Sequence, residues 1–96
     1  MGISVIVRFH AKAGAEQALR DVLLGILEPT RAEPGCVRIQ LYRAIRDSSV
    51  FFVHSTWVQE ADFDAHAELP HMQVFLSRLP ELIDHPLDAT RVVLAG

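Results

Sequence analysis

The period with which apolar residues recur changes along this chain of 96 residues, and the order of those periods restricts the folds it can adopt. Apolar and polar side chains alternate through residues 3–10, which is typical of a β-strand with one buried face. Residues 15–27 instead carry apolar side chains at the i, i+3, i+4, i+7 spacing of an amphipathic helix. Pro29 lacks the backbone N–H that a helix interior needs, so we expect this helix to kink or end near it.

A predicted β-hairpin follows the first helix. Val37, Ile39 and Leu41 alternate with their neighbours, which predicts a second strand with these three side chains on one face. The polar residues 46–49 form a turn, and the run 50–57 then provides a third strand. Because both faces of this third strand carry aromatic side chains, neither face suits exposure to water.

The remainder of the chain returns to helical spacing before a last strand. Residues 61–68 form a short helical segment, and Pro70 suits the first turn of another helix. Pro80 should bend or interrupt that helix. Residues 87–94 are rich in β-branched side chains and predict the final strand.

The resulting order, β-α-β-β-α-β with a second helix in two pieces, predicts an α+β fold. It is the ferredoxin-like split βαβ arrangement with an antiparallel sheet, formed by a single domain over residues 1–96. Helices cover one face of such a sheet, so the other face needs a partner. We therefore expect a homodimer or higher homo-oligomer.

Charge and composition exclude several classes of function. Nine basic and twelve acidic residues give a net charge of -3 without a basic stripe, which argues against nucleic acid as a partner. The apolar runs are too short to span a membrane, so we expect a soluble, cytoplasmic protein. The lone Cys36 cannot form an internal disulfide, and we expect an inert, buried thiol.

Three stretches resemble the antibiotic biosynthesis monooxygenase family. They are Thr-Arg-Ala-Glu-Pro-Gly-Cys at residues 30–36, Trp57, and Ala-His-Ala-Glu-Leu-Pro-His-Met at residues 65–72. The resemblance extends over nearly the whole chain and implies a dimeric α/β barrel. It also implies a monooxygenase that oxidises a small phenolic or hydroquinone-type aromatic substrate with O2, without a metal, haem or flavin cofactor.

The chain departs from the family pattern in two places. Many relatives carry a glutamate two residues before the strand tryptophan, where this chain has Ser55. The haem-degrading relatives use an asparagine on the first strand, and residues 3–10 contain none. The second departure argues against haem degradation.

His66 and His71 are the candidate catalytic residues. Oxygenation without a cofactor needs an electron-rich substrate anion, so the protein must remove a proton from a phenol in a mostly dry pocket. Imidazole exchanges protons near neutral pH and can both accept that proton and return it. The alternative reading is that each histidine is a packed or capping residue.

Trp57, Phe75 and Arg8 are the candidate substrate-binding residues. The Trp57 indole can stack on an aromatic ring and offer its N–H to an oxyanion, although core packing is the more common role of a strand tryptophan. Phe75 can wall the cavity. Arg8 can hold a phenolate, although a surface ion pair is the more common role.

Two further readings remain open. His66 and His71 lie five residues apart with Pro70 between them, unlike the i, i+4 pair that a helix presents to zinc, so we predict no metal site. His10, His54 and His85 lie on separate elements and converge only if the fold brings them together. The alternative functions are an isomerase of a small carbonyl metabolite and a non-catalytic stress protein that binds a small molecule.

Overall fold

Four antiparallel strands form the sheet in the computed structural model, which describes residues 2–96. They are β1 (Ile3–His10), β2 (Cys36–Arg43), β3 (Val50–Trp57) and β4 (Asp88–Val92). Within these residues the strand order is β2-β3-β1-β4, and each neighbouring pair is antiparallel. The predicted hairpin and the α+β ferredoxin-like fold are confirmed.

The helices lie on one side of this sheet and are short. They are α1 (Glu16–Gly25), α2 (Leu27–Arg31), α3 (Glu60–Glu68) and α4 (Pro70–Arg78), followed by a 3₁₀ turn at Leu79–Glu81. The first helical segment breaks at Ile26, and Pro29 then occupies the first turn of α2. A helix has no intrahelical partner for its first four N–H groups, so Pro29 is tolerated there and α2 continues past it. Among residues 2–96, no helix has the length and apolar character needed to cross a membrane.

Alternation along β1 and β3 creates two different sheet faces. The face under the helices carries Ile3, Val5, Val7 and Phe9 of β1, which lie opposite Trp57, Ser55, Val53 and Phe51 of β3. These side chains and those of α1 and α4 form the core, in which Phe9 and Phe75 make an edge-to-face contact with ring centroids 6.1 Å apart. The other face, which we call the open face, carries Ile6, Arg8, Phe52, His54, Thr56, Gln40 and Tyr42.

A β-bulge changes the start of β2. Cys36 lies opposite Trp57 and Arg38 opposite Thr56, so Val37 is the extra residue between two paired positions. Such an insertion interrupts the alternation of side chains between the two faces. Ile39 is buried and Leu41 packs against the core, but Val37 is 62% exposed. The prediction that Val37 shares their face is therefore wrong, and Cys36 packs against the core instead.

The break between α3 and α4 sets the positions of both candidate histidines. Leu69 has extended backbone angles, φ −70° and ψ 149°, and Pro70 begins α4, as predicted. Pro70 restricts Leu69 to such a conformation because its ring crowds the preceding residue. α3 is fixed at its other end by a capping box between Gln59 and Asp62. The angle between α3 and α4 is therefore fixed by the extended conformation of Leu69 before Pro70.

Candidate active site

An apolar cavity of about 120 Å³ lies between the sheet and the helices α3 and α4. Its sheet wall includes Val7, Phe9, Ile39, Val53 and Ser55, and its helix wall includes Phe63, His66, Met72 and Phe75. His66 is the ionisable side chain among the residues that line it. The cavity therefore presents one proton-exchanging group to an otherwise apolar volume.

His66 is held by a buried carboxylate. It lies in the last turn of α3 and is 5% exposed. Its Nδ1 lies 2.8 Å and 3.0 Å from the two carboxylate oxygens of Glu33. An ionised carboxylate only accepts hydrogen bonds, so Nδ1 carries the shared proton and donates it to Glu33. With Nδ1 donating, Nε2 is the ring nitrogen that can accept a proton.

Glu33 reaches this position from the short connection between α2 and β2. Its side chain is 6% exposed, and the connection is closed by backbone hydrogen bonds from Glu33 N to the carbonyl of Thr30 and from Cys36 N to the carbonyl of Glu33. The sequence did not single out Glu33 as a site residue, since it is one of seven residues in the family-like stretch 30–36. Its burial next to an imidazole depends on how the connection folds against α3, which no local pattern reveals.

His71 contacts the same carboxylate from the first turn of α4. Its Nε2 lies 2.9 Å from a Glu33 oxygen, although the angle is not that of a hydrogen bond. Its ring centroid is 6.1 Å from that of His66. The side chain is 28% exposed and lines a separate surface groove beside Val22 and Arg78. Glu33 therefore lies between a cavity-facing imidazole and one that reaches the surface.

Trp57 supports His66 from behind and does not line the cavity. It is fully buried, and its ring centroid is 5.0 Å from that of His66 and 5.8 Å from that of Phe63. Its indole N–H donates to the hydroxyl of Ser55 at 2.9 Å. Because Ser55 already accepts this N–H, the indole has no free donor for a substrate oxyanion. Ser55, which stands where many relatives carry a glutamate, thus fixes the orientation of the Trp57 ring.

The other two candidate residues are separated by the sheet. Phe75 lines the cavity and is 4% exposed. Arg8 lies on the open face, between Phe52 of β3 and Asp88 of β4. Because alternate residues of a strand point to opposite faces, and Val7 and Phe9 line the cavity, Arg8 points away from it.

Two groups of side chains among residues 2–96 have the composition and spacing of metal ligands. One is Glu33, His66 and His71, and the other is His10, Asp84 and His85. In each group the ligand atoms lie within 4.8 Å of one another. The first coincides with the site described above, while the second lies elsewhere on the molecule.

Comparison with known proteins agrees with this architecture. The family model for antibiotic biosynthesis monooxygenases matches residues 2–78. The chain belongs to this family. The "Putative monooxygenase Rv0793" of Mycobacterium tuberculosis is 31% identical over 88 residues, which cover 92% of this chain and 86% of that protein. The "Putative monooxygenase YcnE" of Bacillus subtilis is 30% identical over 70 residues, covering 73% of this chain and 74% of that protein.

The solved structure of the Mycobacterium tuberculosis protein has the same fold. It superimposes on this member of the family with a TM-score of 0.93 and 27% sequence identity, covering 100% of this chain and 97% of that one. The predicted membership of a monooxygenase family is therefore confirmed.

Proposed function

We propose that this family member oxidises single-ring phenols or hydroquinones with O2 without a bound cofactor, with His66 as the catalytic base and His71 as its partner. The observation that carries the proposal is the buried imidazole of His66, which borders an apolar cavity while its Nδ1 is tethered to Glu33. A base in this setting removes a proton from a bound hydroxyl where water competes poorly.

Glu33 prepares His66 for that role. By accepting the Nδ1 proton it fixes the tautomer in which Nε2 is free, as the carboxylate does in a catalytic triad. When Nε2 takes a proton, the adjacent negative charge stabilises the imidazolium that forms. His71, which touches the same carboxylate and is partly exposed, offers a route by which that proton exchanges with solvent.

The proposed reaction balances with one molecule of O2. His66 takes the hydroxyl proton, and the electron-rich anion reduces O2 and forms a carbon–oxygen bond at a ring carbon that carries hydrogen, which is the para carbon of a phenol or the carbon beside a hydroxyl in a hydroquinone. The O–O bond and the C–H bond at that carbon then break, and the proton held by His66 and the ring proton leave with one oxygen atom. One oxygen atom remains on the carbon as a quinone carbonyl, the other leaves as water, and the substrate supplies the electrons. Phenol and O2 thus give benzoquinone and water, and hydroquinone and O2 give hydroxybenzoquinone and water.

The volume of the cavity supports a single-ring substrate. A dry apolar cavity of about 150 Å³ holds one benzene molecule. The present cavity, at about 120 Å³, is close to that size, so it suits one ring and not a fused tricyclic system. Phe75 and Met72 supply apolar contacts to the ring.

Oxygen consumption and product analysis with methylated hydroquinones, phenols and naphthols test this function. We expect turnover of single-ring substrates in preference to naphthols, with incorporation of ¹⁸O from labelled O2 into the quinone. His66→Gln keeps an N–H that can donate to Glu33 but removes the base, so kcat/KM should fall by about 10²–10⁴-fold. Glu33→Gln should also slow the reaction, because it loses the charge that stabilises the imidazolium.

Glu68→Gln is the matched control, because it removes an exposed carboxylate from the same helix as His66. It should retain activity, and thermal unfolding of all three variants should confirm that they fold. Undiminished oxygen consumption in His66→Gln would overturn the assignment of the base. Turnover of a carbonyl substrate under nitrogen, without O2 uptake, would instead identify an isomerase.

We further propose that the open face binds a second copy of the chain, giving the dimeric barrel implied by the resemblance. The molecule is only 20 Å across its shortest axis, which is the thickness of one sheet and one layer of helices. Among residues 2–96, no further layer covers the open face. Ile6 and Tyr42 on this face are 41% and 47% exposed, which favours burial against a partner.

A further inference from the structure

A second cluster of ionisable groups lies outside the cavity, where β1 ends. His10 is the last residue of β1, and Asp84 and His85 precede β4. The Nδ1 atoms of His10 and His85 lie 2.6 Å and 2.5 Å from the same oxygen, Oδ1 of Asp84. The two imidazole rings meet edge to face with centroids 4.9 Å apart. Two ring nitrogens and one carboxylate oxygen therefore converge on a small volume at the surface.

Backbone hydrogen bonds join the two chain segments that carry His10 and Asp84. The amide of Asp84 donates to the carbonyl of His10 at 3.2 Å, and the amide of Lys12 donates to the carbonyl of Leu82 at 2.9 Å. Ala11 and Ile83 form an antiparallel bridge between these two bonds. His10 thus lies in a strand, and Asp84 and His85 lie in the bend that directly follows the bridge at Ile83. Such a site needs little further ordering when it takes up a ligand.

The other nitrogen of His10 has a partner that fixes its proton. The hydroxyl of Ser49 donates to the carboxylate of Asp47, so its oxygen is left to accept a hydrogen bond. Nε2 of His10 lies 3.2 Å from that oxygen and therefore carries a proton and donates it. Metal-binding histidines commonly donate their second ring N–H in this way, which orients the ring and leaves the first nitrogen as the ligand.

We propose that His10, Asp84 and His85 bind one divalent first-row transition metal ion, with Zn²⁺ as the representative case. The ligands are the two Nδ1 atoms and one carboxylate oxygen. Imidazole nitrogen and carboxylate oxygen suit this class of ion, which binds them at about 2.0–2.2 Å. The side chains are 25%, 38% and 65% exposed for His10, Asp84 and His85, so water completes the coordination shell.

Local charge favours this site over the group around Glu33. The carboxylate of Asp84 lies beside both imidazoles, and that of Asp47 lies close to His10 through the hydroxyl of Ser49. A divalent ion bound to the two Nδ1 atoms is therefore attracted by both carboxylates. Glu33 and His66 are each 6% exposed, so an ion entering there must lose its hydration in a nearly closed space.

Isothermal titration of the untagged, metal-free chain with ZnCl₂, together with the visible spectrum of Co²⁺, tests the proposal. We expect one ion per chain and a rise in the unfolding temperature on addition of Zn²⁺, because the ion binds the folded state. His85→Gln replaces an exposed ligand and should weaken binding by at least about tenfold. Ser49→Ala, which removes only the group that orients His10, should weaken it by about tenfold as well.

His66→Gln and His71→Gln are the matched controls, and both should bind Zn²⁺ as tightly as the unchanged chain. Loss of binding in these controls with retention in His85→Gln would place the ion at Glu33 and overturn the proposal. Absence of binding at millimolar Zn²⁺ would overturn it as well. The ¹⁵N spectrum of the imidazoles provides an independent readout, since metal binding should shift the Nδ1 resonances of His10 and His85 and leave those of His66 unchanged.

Discussion

Each group that surrounds His66 has a distinct physical role. Glu33 accepts its Nδ1 proton, Trp57 and Phe63 contact its ring, and the remaining side of the ring borders the cavity. The ring is therefore fixed in tautomer and in orientation, which is the preorganisation a general base requires. Ser55 contributes by binding the indole of Trp57, so the position that lacks the carboxylate of many relatives still supports the ring of His66.

The pKa of the Cys36 thiol depends on the charge of Glu33. Burial raises the pKa of its thiol, the negative charge of Glu33 raises it further, and Arg31 opposes both effects. Because the thiolate is the reactive form, we expect Cys36 to react with iodoacetamide at pH 8 more slowly than free cysteine does. Glu33→Gln removes a charge that raises the pKa and should accelerate alkylation, measured by mass spectrometry. Burial is the larger cause, so reactivity should recover only in part.

Arg31→Gln is the control, because it should change the pKa of Cys36 in the opposite direction to Glu33→Gln. It removes the charge that lowers the pKa of Cys36, so alkylation should become slower still. Mere loosening of the structure would accelerate the reaction in both variants. Acceleration in both would therefore show that packing, and not the charge of Glu33, governs the thiol.

At the scale of elements, the connection before β2 is pressed against the start of α3. Gly35 has a φ of +83°, and a Cβ placed on it would lie 2.7 Å from the Cβ of Asp62 and still closer to its carboxylate. Asp62 belongs to the capping box of α3, and the carbonyl of Gly35 accepts a hydrogen bond from the amide of Val58. This close approach brings the segment that carries Glu33 against the helix that carries His66.

We therefore expect Gly35→Ala to destabilise the fold by about 2–4 kcal/mol, from the strained φ together with overpacking against Asp62. Gly14→Ala is the matched control, since Gly14 has a φ of +86° with no atom near its absent Cβ. It should lower the free energy of unfolding by only about 1–2 kcal/mol in urea denaturation. Equal losses in the two variants would show that the contact with Asp62 contributes nothing.

Periodicity predicted the elements well because it reports directly on which side chains are buried. The strands at 3–10 and 50–57 and the helix beginning at Pro70 are all present. The position of Val37 was not predictable, because a single inserted residue in a strand leaves the alternation of residue types intact while it reverses the faces.

At the scale of the whole molecule, the thin two-layer architecture leaves the open face to be covered. We expect sedimentation equilibrium to give twice the mass of the chain. Ile6→Glu places a charge at the centre of that face and should dissociate the dimer, because an interface that buries an unpaired carboxylate is strongly destabilised.

Val74→Glu is the control for this change. Val74 lies on α4 in the helical layer and is 62% exposed, so a charge there should leave the dimer intact. A monomeric unchanged chain, or a dimer that survives Ile6→Glu, would contradict the proposed arrangement.

The site was less accessible to sequence reasoning than the fold. The histidines at 66 and 71 stood out because imidazole is chemically distinctive, whereas Glu33 is one of twelve acidic residues, and its burial depends on contacts between distant segments. The convergence of His10 with His85 has the same origin, since residues 75 positions apart in sequence meet only through the pairing of β1 with the chain before β4.

The extended backbone of Leu69 explains how two imidazoles reach one carboxylate. In an uninterrupted α-helix, positions five residues apart differ by about 140° around the axis, so rings at 66 and 71 would point in divergent directions. The corner at Leu69 cancels that angular offset and brings both rings to Glu33. If α3 and α4 formed one continuous straight helix, one of the two rings could not reach the carboxylate, although no polar side chain would have changed.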